Sequence, residues 1–233
     1  MECIVGTSGF SYKPWKGIFY PSDLPDKQML NYYGQILSGV EIDNTFYRLP
    51  KQAVLESWAE QVPAGFRFTI KASRRITHFA RLKNADEPLA FLMTNVEVLK
   101  DRLGAVLFQL PPNLEKDVPR LAAFLELLPP GAPCAFEFRA SSWLCDEVYA
   151  LLEGRGVALC QADTDEEPIS EIRPTTGFGY LRLRREEYDD AYLDLWAERI
   201  RSAPWERALV FFKHEDGGVG PVRAKALQER LSG

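Results

Sequence analysis

Eight short apolar runs, spaced along the whole chain and nearly all ending in a charged or amide residue, constrain its fold more than any other feature. They are Ile4 to Thr7, Val40 to Asp43, Phe68 to Lys71, Val106 to Gln109, Phe136 to Arg139, Ala158 to Gln161, Tyr180 to Leu183 and Val210 to Lys213. Runs of this length read as strands of a buried parallel sheet. Polar groups gathered at one end of parallel strands converge on a single mouth, so the pattern predicts both a fold and the place of a site.

The stretches between the runs have helical spacing. Met29, Leu30, Tyr33, Ile36 and Leu37 form one stripe within 26–38, and Val54, Leu55, Trp58 and Val62 form the next. Residues 89–103, 118–128, 148–152, 192–200 and 222–231 read the same way. Pro50, Pro88 and Pro119 stand at or near expected helix starts, and Gly104 and Gly154 are expected just past helix ends as left-handed caps. A strand-helix unit thus repeats about eight times in roughly 29 residues each, with an irregular sixth connection from Thr164 to Thr176. Such alternation demands parallel strands, because each helix is a crossover. An open doubly wound sheet is the competing solution. Eight runs in 233 residues, with polar ends in every quarter, fit a closed (β/α)8 TIM-type barrel better, as a single α/β domain over 1–233. Gly217-Gly218 reads as a loop before the last helix.

Strand parity then sorts the side chains, because successive residues face opposite sides of a sheet. Val40 and Ile42 oppose Glu41 and Asp43; Phe136 and Phe138 oppose Glu137 and Arg139; Leu181 and Leu183 oppose Arg182 and Arg184. The outer face must meet apolar helices, so the charged parity is assigned to the lumen. Extending this to the other strands adds Lys71, Gln109, Gln161, Asp163 and Lys213. The expected mouth then holds the acids Glu41, Asp43, Glu137 and Asp163 against the bases Lys71, Arg139, Arg182, Arg184 and Lys213, on a chain whose net charge is -5. A slightly cationic mouth favours an anionic ligand such as a phosphate or carboxylate. The competing reading is a structural network, in which each buried ion is kept because its partner is there.

Aromatic residues flank the same mouth: Phe10, Tyr12, Trp15, Phe19 and Tyr20 in the first loop, Phe46 and Tyr47 in the second, Trp143 in the fifth. Such rings either stack on a ligand or bury against the barrel rim. The two histidines, His78 after strand three and His214 after strand eight, are the candidate acid-base groups, with an ordinary pKa of about 6.5. Glu137, Asp163 and Glu215 could hold a Mg- or Mn-type ion, but the interleaved Arg139, Arg182 and Lys213 oppose a cation there, and no cofactor is expected. Two histidines are too few for a multi-histidine zinc cluster, and the sequence contains no P-loop, G-x-S-x-G, G-x-G-x-x-G or H-E-x-x-H.

Cys3, Cys134, Cys145 and Cys160 are widely spaced without a CxxC pair, which reads as reduced thiols of a cytoplasmic protein. The chain opens on strand-like Cys3-Ile4-Val5 without a signal-like segment, and no apolar stretch approaches the roughly 18 residues of a membrane span. A soluble protein without a membrane partner is expected, and the acidic total charge argues against a generally basic nucleic-acid surface while permitting a local basic cleft.

Several blocks resemble the signature of the YecE-like family, a domain of unknown function (number 72). They are Gly6-Thr7-Ser8-Gly9-Phe10 with Tyr12, Trp15, Gly17 and Phe19-Tyr20-Pro21, then Val40 through Pro50. Lys71 with Ile76-Thr77-His78, Leu107 through Pro112, Glu137-Phe138-Arg139 with Ser142-Trp143, Ala162-Asp163 and Tyr180 through Leu183 follow in order. The resemblance implies a TIM-type barrel and no established reaction. The chain departs from the expected pattern at Ala140, where a histidine is expected, at Arg184-Arg185 in place of His-Gly, and at Lys213-His214 in place of an amide pair.

Three functions follow as expectations. The first is an enzyme, possible as a hydrolase, acting on a phosphorylated or nucleotide-like small anion. In it Lys71, Arg139 and Arg182 hold the anion, Glu41 or Glu137 is the general base, and His78 or Asp163 is the acid partner. Tyr12, Trp15, Asn44, Tyr47, Arg48, Gln109, Trp143 and Lys213 complete the expected binding surface. The second is a nucleic-acid-binding or processing barrel, with Trp15, Tyr47 and Trp143 stacking bases while Arg48, Arg74, Arg75 and Arg184 meet phosphates. The third is a non-catalytic binding or scaffold protein, favoured by Ala140 and Arg184.

Overall fold

The eight runs form eight parallel strands that close into a barrel in chain order, with the first strand paired to the last. The computed structural model describes residues 1–213 and 216–232. The strands are β1 (Glu2–Ser8), β2 (Gly39–Ile42), β3 (Arg67–Lys71), β4 (Leu103–Gln109), β5 (Cys134–Glu137), β6 (Ala158–Asp163), β7 (Phe178–Leu183) and β8 (Arg207–Phe212). The α-helices are α1 (Met29–Gly34), α2 (Gln52–Glu60), α3 (Asp86–Val96), α4 (Val118–Glu126), α5 (Asp146–Arg155), α6 (Asp190–Ser202) and α7 (Val219–Ser232). The sixth connection carries no helix, as the irregular composition of that stretch predicts.

Two apolar cores follow from strand parity. The outer one packs strand residues such as Val5, Val40, Phe68, Ile70, Phe108 and Phe136 under the helices. The inner one fills the lower lumen with Ile4, Ala105, Leu107, Ala135, Ala158, Cys160, Tyr180, Leu209 and Phe211. This plug closes the barrel at depth, so polar lumen residues lie at its C-terminal end. All four cysteines are free thiols, with Cys134 and Cys160 buried.

Some local expectations are corrected. Gly104 lies inside β4 and Gly154 inside α5; the left-handed cap of α5 is Gly156, at φ 63°. The helix expected over 89–103 ends at Val96, and a 3-10 segment broken at Lys100 (φ 49°) continues to Arg102. The barrel seam is thinnest between β5 and β6, where only Ala135 with Ala158 and Phe136 with Leu159 are in register. Beyond them Gln161 turns outward and pairs with the sixth connection, its Oε1 accepting from Arg173 N at 2.9 Å and its Nε2 donating to Arg173 O at 3.3 Å.

At the opposite seam β1 and β2 approach closely through Gly6 and Gly39, which face each other in register. A methyl on Gly6 would meet the Gly39 carbonyl oxygen, whereas one on Gly65 would meet nothing within 4 Å. Gly6→Ala should therefore lower unfolding free energy by about 1–3 kcal/mol in denaturant titrations, by overpacking. Gly65→Ala is the control, expected within about 0.5 kcal/mol of the parent.

Candidate functional site

Above the apolar plug, one side chain organises the lumen. Arg182 of β7 is fully buried, and its two terminal nitrogens point to opposite walls: Nη1 donates to Glu137 Oε2 at 2.7 Å and Nη2 to Glu41 Oε1 at 2.8 Å. Each carboxylate is completed by neighbours. Glu41 Oε1 also accepts from Ser8 Oγ at 2.6 Å and its Oε2 from the Tyr180 hydroxyl at 2.5 Å. Glu137 Oε1 accepts from Gln109 Nε2 at 2.8 Å. Burial opposes the charge on Arg182, but Glu41, Glu137 and Asp43 outweigh it and hold the guanidinium charged well beyond its ordinary range. Burial likewise opposes ionisation of Glu137, and Arg182 and Gln109 overcome it, so its carboxyl titrates below the ordinary value. Burial, reinforced by Glu41, pushes the Tyr180 phenol far up and keeps it a donor.

This layer is the network that strand parity predicts. Glu41 and Glu137 spend their oxygens on Arg182 and its neighbours, which leaves little capacity to receive a proton from a ligand. Ser8 and Tyr180 were missing from the expected set. Their signal was available, because Ser8 shares the parity of Gly6 and Tyr180 that of Arg182.

The rim above is more open. Lys71 Nζ lies 3.5 Å from Asp43 Oδ1 and 4.8 Å from the centre of the Phe46 ring. Asp43 also approaches Arg182 at 3.6 Å. Arg139 and Arg184 each reach Glu137 only at 3.9 Å, and Arg139 is 38% exposed. Lys213 has no carboxylate within 4.0 Å among the described residues. Burial lowers the pKa of Lys213, and Arg182, Arg184 and Lys71 lower it further against the opposing pull of Asp43. Arg184 is lowered by burial and then by Arg182. Burial is the larger cause in both, and the secondary contribution of neighbouring cations shows that positive charges gather here.

These groups open into a cavity of about 860 Å³. Lys71, Gln109, Arg139 and Lys213 line its floor, with Asp43, Asn44 and His78 beside them. Phe10, Tyr12, Phe46, Tyr47 and Trp58 supply rings to its walls. Trp58 and Gln61 come from α2 and its end, and nothing in strand periodicity points to them. His78 sits in a π-helical turn over Arg75–Phe79. Its Nδ1 is 2.9 Å from Thr77 Oγ1 and its ring meets the Phe46 ring edge-on at 4.8 Å. Burial, then Lys71, Arg139 and Arg81, lower its pKa below 6.5, so the imidazole is neutral at pH 7.

Several expected site residues lie elsewhere. Asp163 faces outward at the end of β6, where Oδ1 accepts from Ile169 N at 3.0 Å and Oδ2 from the Tyr188 hydroxyl at 2.9 Å. It anchors the sixth connection and does not face the mouth, and Gln161 shares that placement. The parity rule inverts here because β6 meets a polar, irregular connection where other strands meet an apolar helix. Without Asp163, five cations of the expected set face three carboxylates among the described residues, so the imbalance is larger than expected. Trp15 and Trp143 are fully buried. Trp15 packs among Tyr12, Phe19 and Tyr20, while Trp143 stacks on Phe138 and donates from Nε1 to Leu114 O at 2.6 Å. Both are rim core, not ligand contacts. Arg48 lines a neighbouring groove instead of the mouth cavity. His214 and Glu215 lie outside the described residues. Of the expected donor set, Glu137 is committed to Arg182 and Asp163 faces away from the mouth, while Glu215 is among the residues not described; among the described residues no cluster of three or more His, Cys, Asp or Glu side chains is disposed to hold a metal.

The closed barrel with a polar C-terminal mouth makes this a (β/α)8-barrel protein. The family described as "Protein of unknown function DUF72" matches residues 4–233, and the chain belongs to that family. Among its relatives, the UPF0759 protein YecE of Escherichia coli O157:H7 is 32% identical over 151 residues, covering 62% of this chain and 55% of that protein. The YecE of strain K12 is 31% identical over the same extent. The match thus spans little more than half the length of these curated relatives. A crystal structure of a DUF72 family protein from Thermotoga maritima superposes with a TM-score of 0.88 at 26% identity, covering all of both chains. Another from Enterococcus faecalis V583 superposes at 0.83 with 18% identity, covering 99% of this chain and 95% of that one, and shares the fold. No helix among the described residues is long and apolar enough to cross a membrane.

Removing Arg182 would strand two buried carboxylates. Arg182→Ala should cost about 3–5 kcal/mol of stability in urea titrations. Glu137 gives a pH signature of known sign. Its folded pKa is depressed, so its contribution is complete above the ordinary value of 4.5 and is lost as pH falls through the folded pKa. Glu137→Gln should be less stable than the parent at neutral pH, and its stability should fall less steeply below about pH 4.5.

Proposed function

We propose that the mouth cavity binds a small anionic ligand of the phosphorylated or nucleotide-like class. The observation that carries this reading is the unbalanced charge of the floor: Arg139 reaches a carboxylate only at 3.9 Å, and Lys213, which has none within 4.0 Å among the described residues, is lowered by burial first and by Arg182, Arg184 and Lys71 after it. A phosphate or carboxylate placed between them would gain charge-assisted hydrogen bonds and relieve the mutual repulsion of the cations. Lys71 and Gln109, on the same floor, extend the donor set. Arg182 acts at one remove, because its terminal nitrogens are taken by Glu41 and Glu137, and the network fixes the depth and orientation of the floor.

His78 is the acid-base group of this cavity. A neutral imidazole at pH 7 is suited to take a proton from water or a hydroxyl and return it, so hydrolysis of a phosphate ester is the reaction class that fits. The three residues expected to share that role, Glu41, Glu137 and Asp163, are saturated or turned away. A phosphate-ester hydrolysis screen in which the parent is active and His78→Gln is not would support the reaction class. Equal activity of the two would refute His78 in this role.

Binding is tested independently of turnover. At a concentration of about 100 times its Kd, a bound phosphate ester should stabilise the parent by about 2.7 kcal/mol in thermal unfolding. Arg139→Ala and Lys213→Ala should each weaken binding by roughly tenfold, as expected for loss of one charge-assisted contact. Protonation of His78 adds a cation to the floor. Anion affinity should therefore rise as pH falls through its lowered pKa, and His78→Gln should flatten that rise.

A further inference from the structure

The mouth cavity continues beyond the barrel. Tyr47 belongs to its wall and also to the wall of a second cavity of about 570 Å³, built by the segments after β2 and β3 and by α3. The cations of this second cavity are Arg48 and Arg75, and Glu87 is its one acid among the described residues. Neither arginine has a carboxylate within 4.0 Å among the described residues. Around the junction, rings are left open to solvent: Tyr47 is 67%, Phe79 69% and Phe91 62% exposed. Arg74 lies between two of them, 5.2 Å from the ring centres of both Tyr47 and Phe79.

The backbone here is also unusual. Arg75 opens the π-helical turn, and Arg81, Leu82 and Asn84 follow at φ 50°, 66° and 48°. Non-glycine residues at positive φ carry a local cost, and π turns and strained loops gather where side chains are re-aimed for a ligand. Arg48 and Arg75 are exposed and line the second cavity, so a phosphate monoester in the mouth cavity would leave them to water. A second anionic group on the same ligand could pair with them. Tyr47, the 67% exposed ring that both cavities share, offers a flat surface between the two cationic ends, which favours a planar base over an aliphatic linker. A planar base joined to regularly spaced phosphates is a nucleotide chain.

We propose that the second cavity is a second anion subsite. The ligand then runs from Arg139 and Lys213, across Tyr47, to Arg48 and Arg75, and consists of at least two nucleotides joined by a phosphodiester. This rests on the anionic reading of the mouth cavity and names the ligand class. Two sources supply the same chemistry, a free dinucleotide and the end of a single strand.

The test is titration calorimetry of the full chain with a nucleoside monophosphate, a dinucleotide bearing two phosphates, and a single-stranded tetranucleotide. The dinucleotide should bind at least about tenfold tighter than the monophosphate, the gain of one further charge-assisted contact. The Arg48→Ala/Arg75→Ala double variant should lose that increment and leave monophosphate affinity unchanged. Tyr47→Ala, at a 67% exposed position, should weaken the dinucleotide without unfolding the protein. Equal affinity for mono- and dinucleotide, or an equal loss for both in the double variant, would overturn the second subsite. Binding of none of the three would overturn it together with the anionic reading. Dinucleotide binding that depends on Arg48 and Arg75, with Arg139→Ala and Lys213→Ala silent, would keep the second subsite and refute the first. A tetranucleotide no tighter than the dinucleotide points to the free dinucleotide, and a tighter one with a steeper salt dependence points to the strand end.

Discussion

The salt bridge from Arg182 to Glu41 and Glu137 is the contact on which the upper barrel depends. It spans the lumen from β7 to β2 and β5, with all three side chains in the barrel interior. Charges withdrawn from water are costly unless geometry and further hydrogen bonds compensate. Ser8, Tyr180 and Gln109 provide those bonds, so three further donors are fixed by the two carboxylates. An apolar filling would serve stability equally well. What the network adds is a rigid, polar ceiling on the apolar plug, and it is this ceiling that faces the cavity.

Above the ceiling the charges no longer balance. Glu41 and Glu137 are used up holding Arg182, so the remaining cations, Lys71, Arg139, Arg184 and Lys213, have Asp43 and distant approaches to Glu137 as their described acidic neighbours. A structural network below and the proposed anion site above are therefore compatible in this barrel. The lower layer holds Glu41 and Glu137 on Arg182, and that commitment leaves the surplus of the upper one. Burial first, and then Lys71, Arg139 and Arg81, lower the pKa of His78, so the one described histidine stands neutral beside this surplus at pH 7.

Much of this architecture was legible in residue order. All eight strands fall on the apolar runs, and alternation places Glu41, Lys71, Gln109, Glu137, Arg182 and Lys213 in the lumen. The misplacement of Gln161 and Asp163 has one cause. Parity assigns charged residues to the lumen on the premise that every outer face meets an apolar helix, and β6 breaks that premise by meeting the polar sixth connection. Its inner face carries the small residues Ala158 and Cys160, because Tyr180 on the neighbouring strand fills the lumen there. Trp15 and Trp143 were misassigned for another reason. Being on a loop after a strand fixes where a ring starts but not whether the loop folds back over it, and both rings are covered.

The sequence by itself determined the barrel, its strand order and, on every strand but β6, the face that carries charge, because apolar period and crossover topology are local properties that accumulate along the chain. Only the tertiary structure decided which charges neutralise one another. That outcome depends on distances across the lumen between residues 45 and 141 positions apart in the chain, and on which oxygens are already occupied. It also decided that α2 lends Trp58 to the cavity wall and that Tyr47 joins the mouth to the groove of Arg48 and Arg75. Periodicity carries no information about contacts between neighbouring units, since these are set by how far each loop and helix leans over the rim.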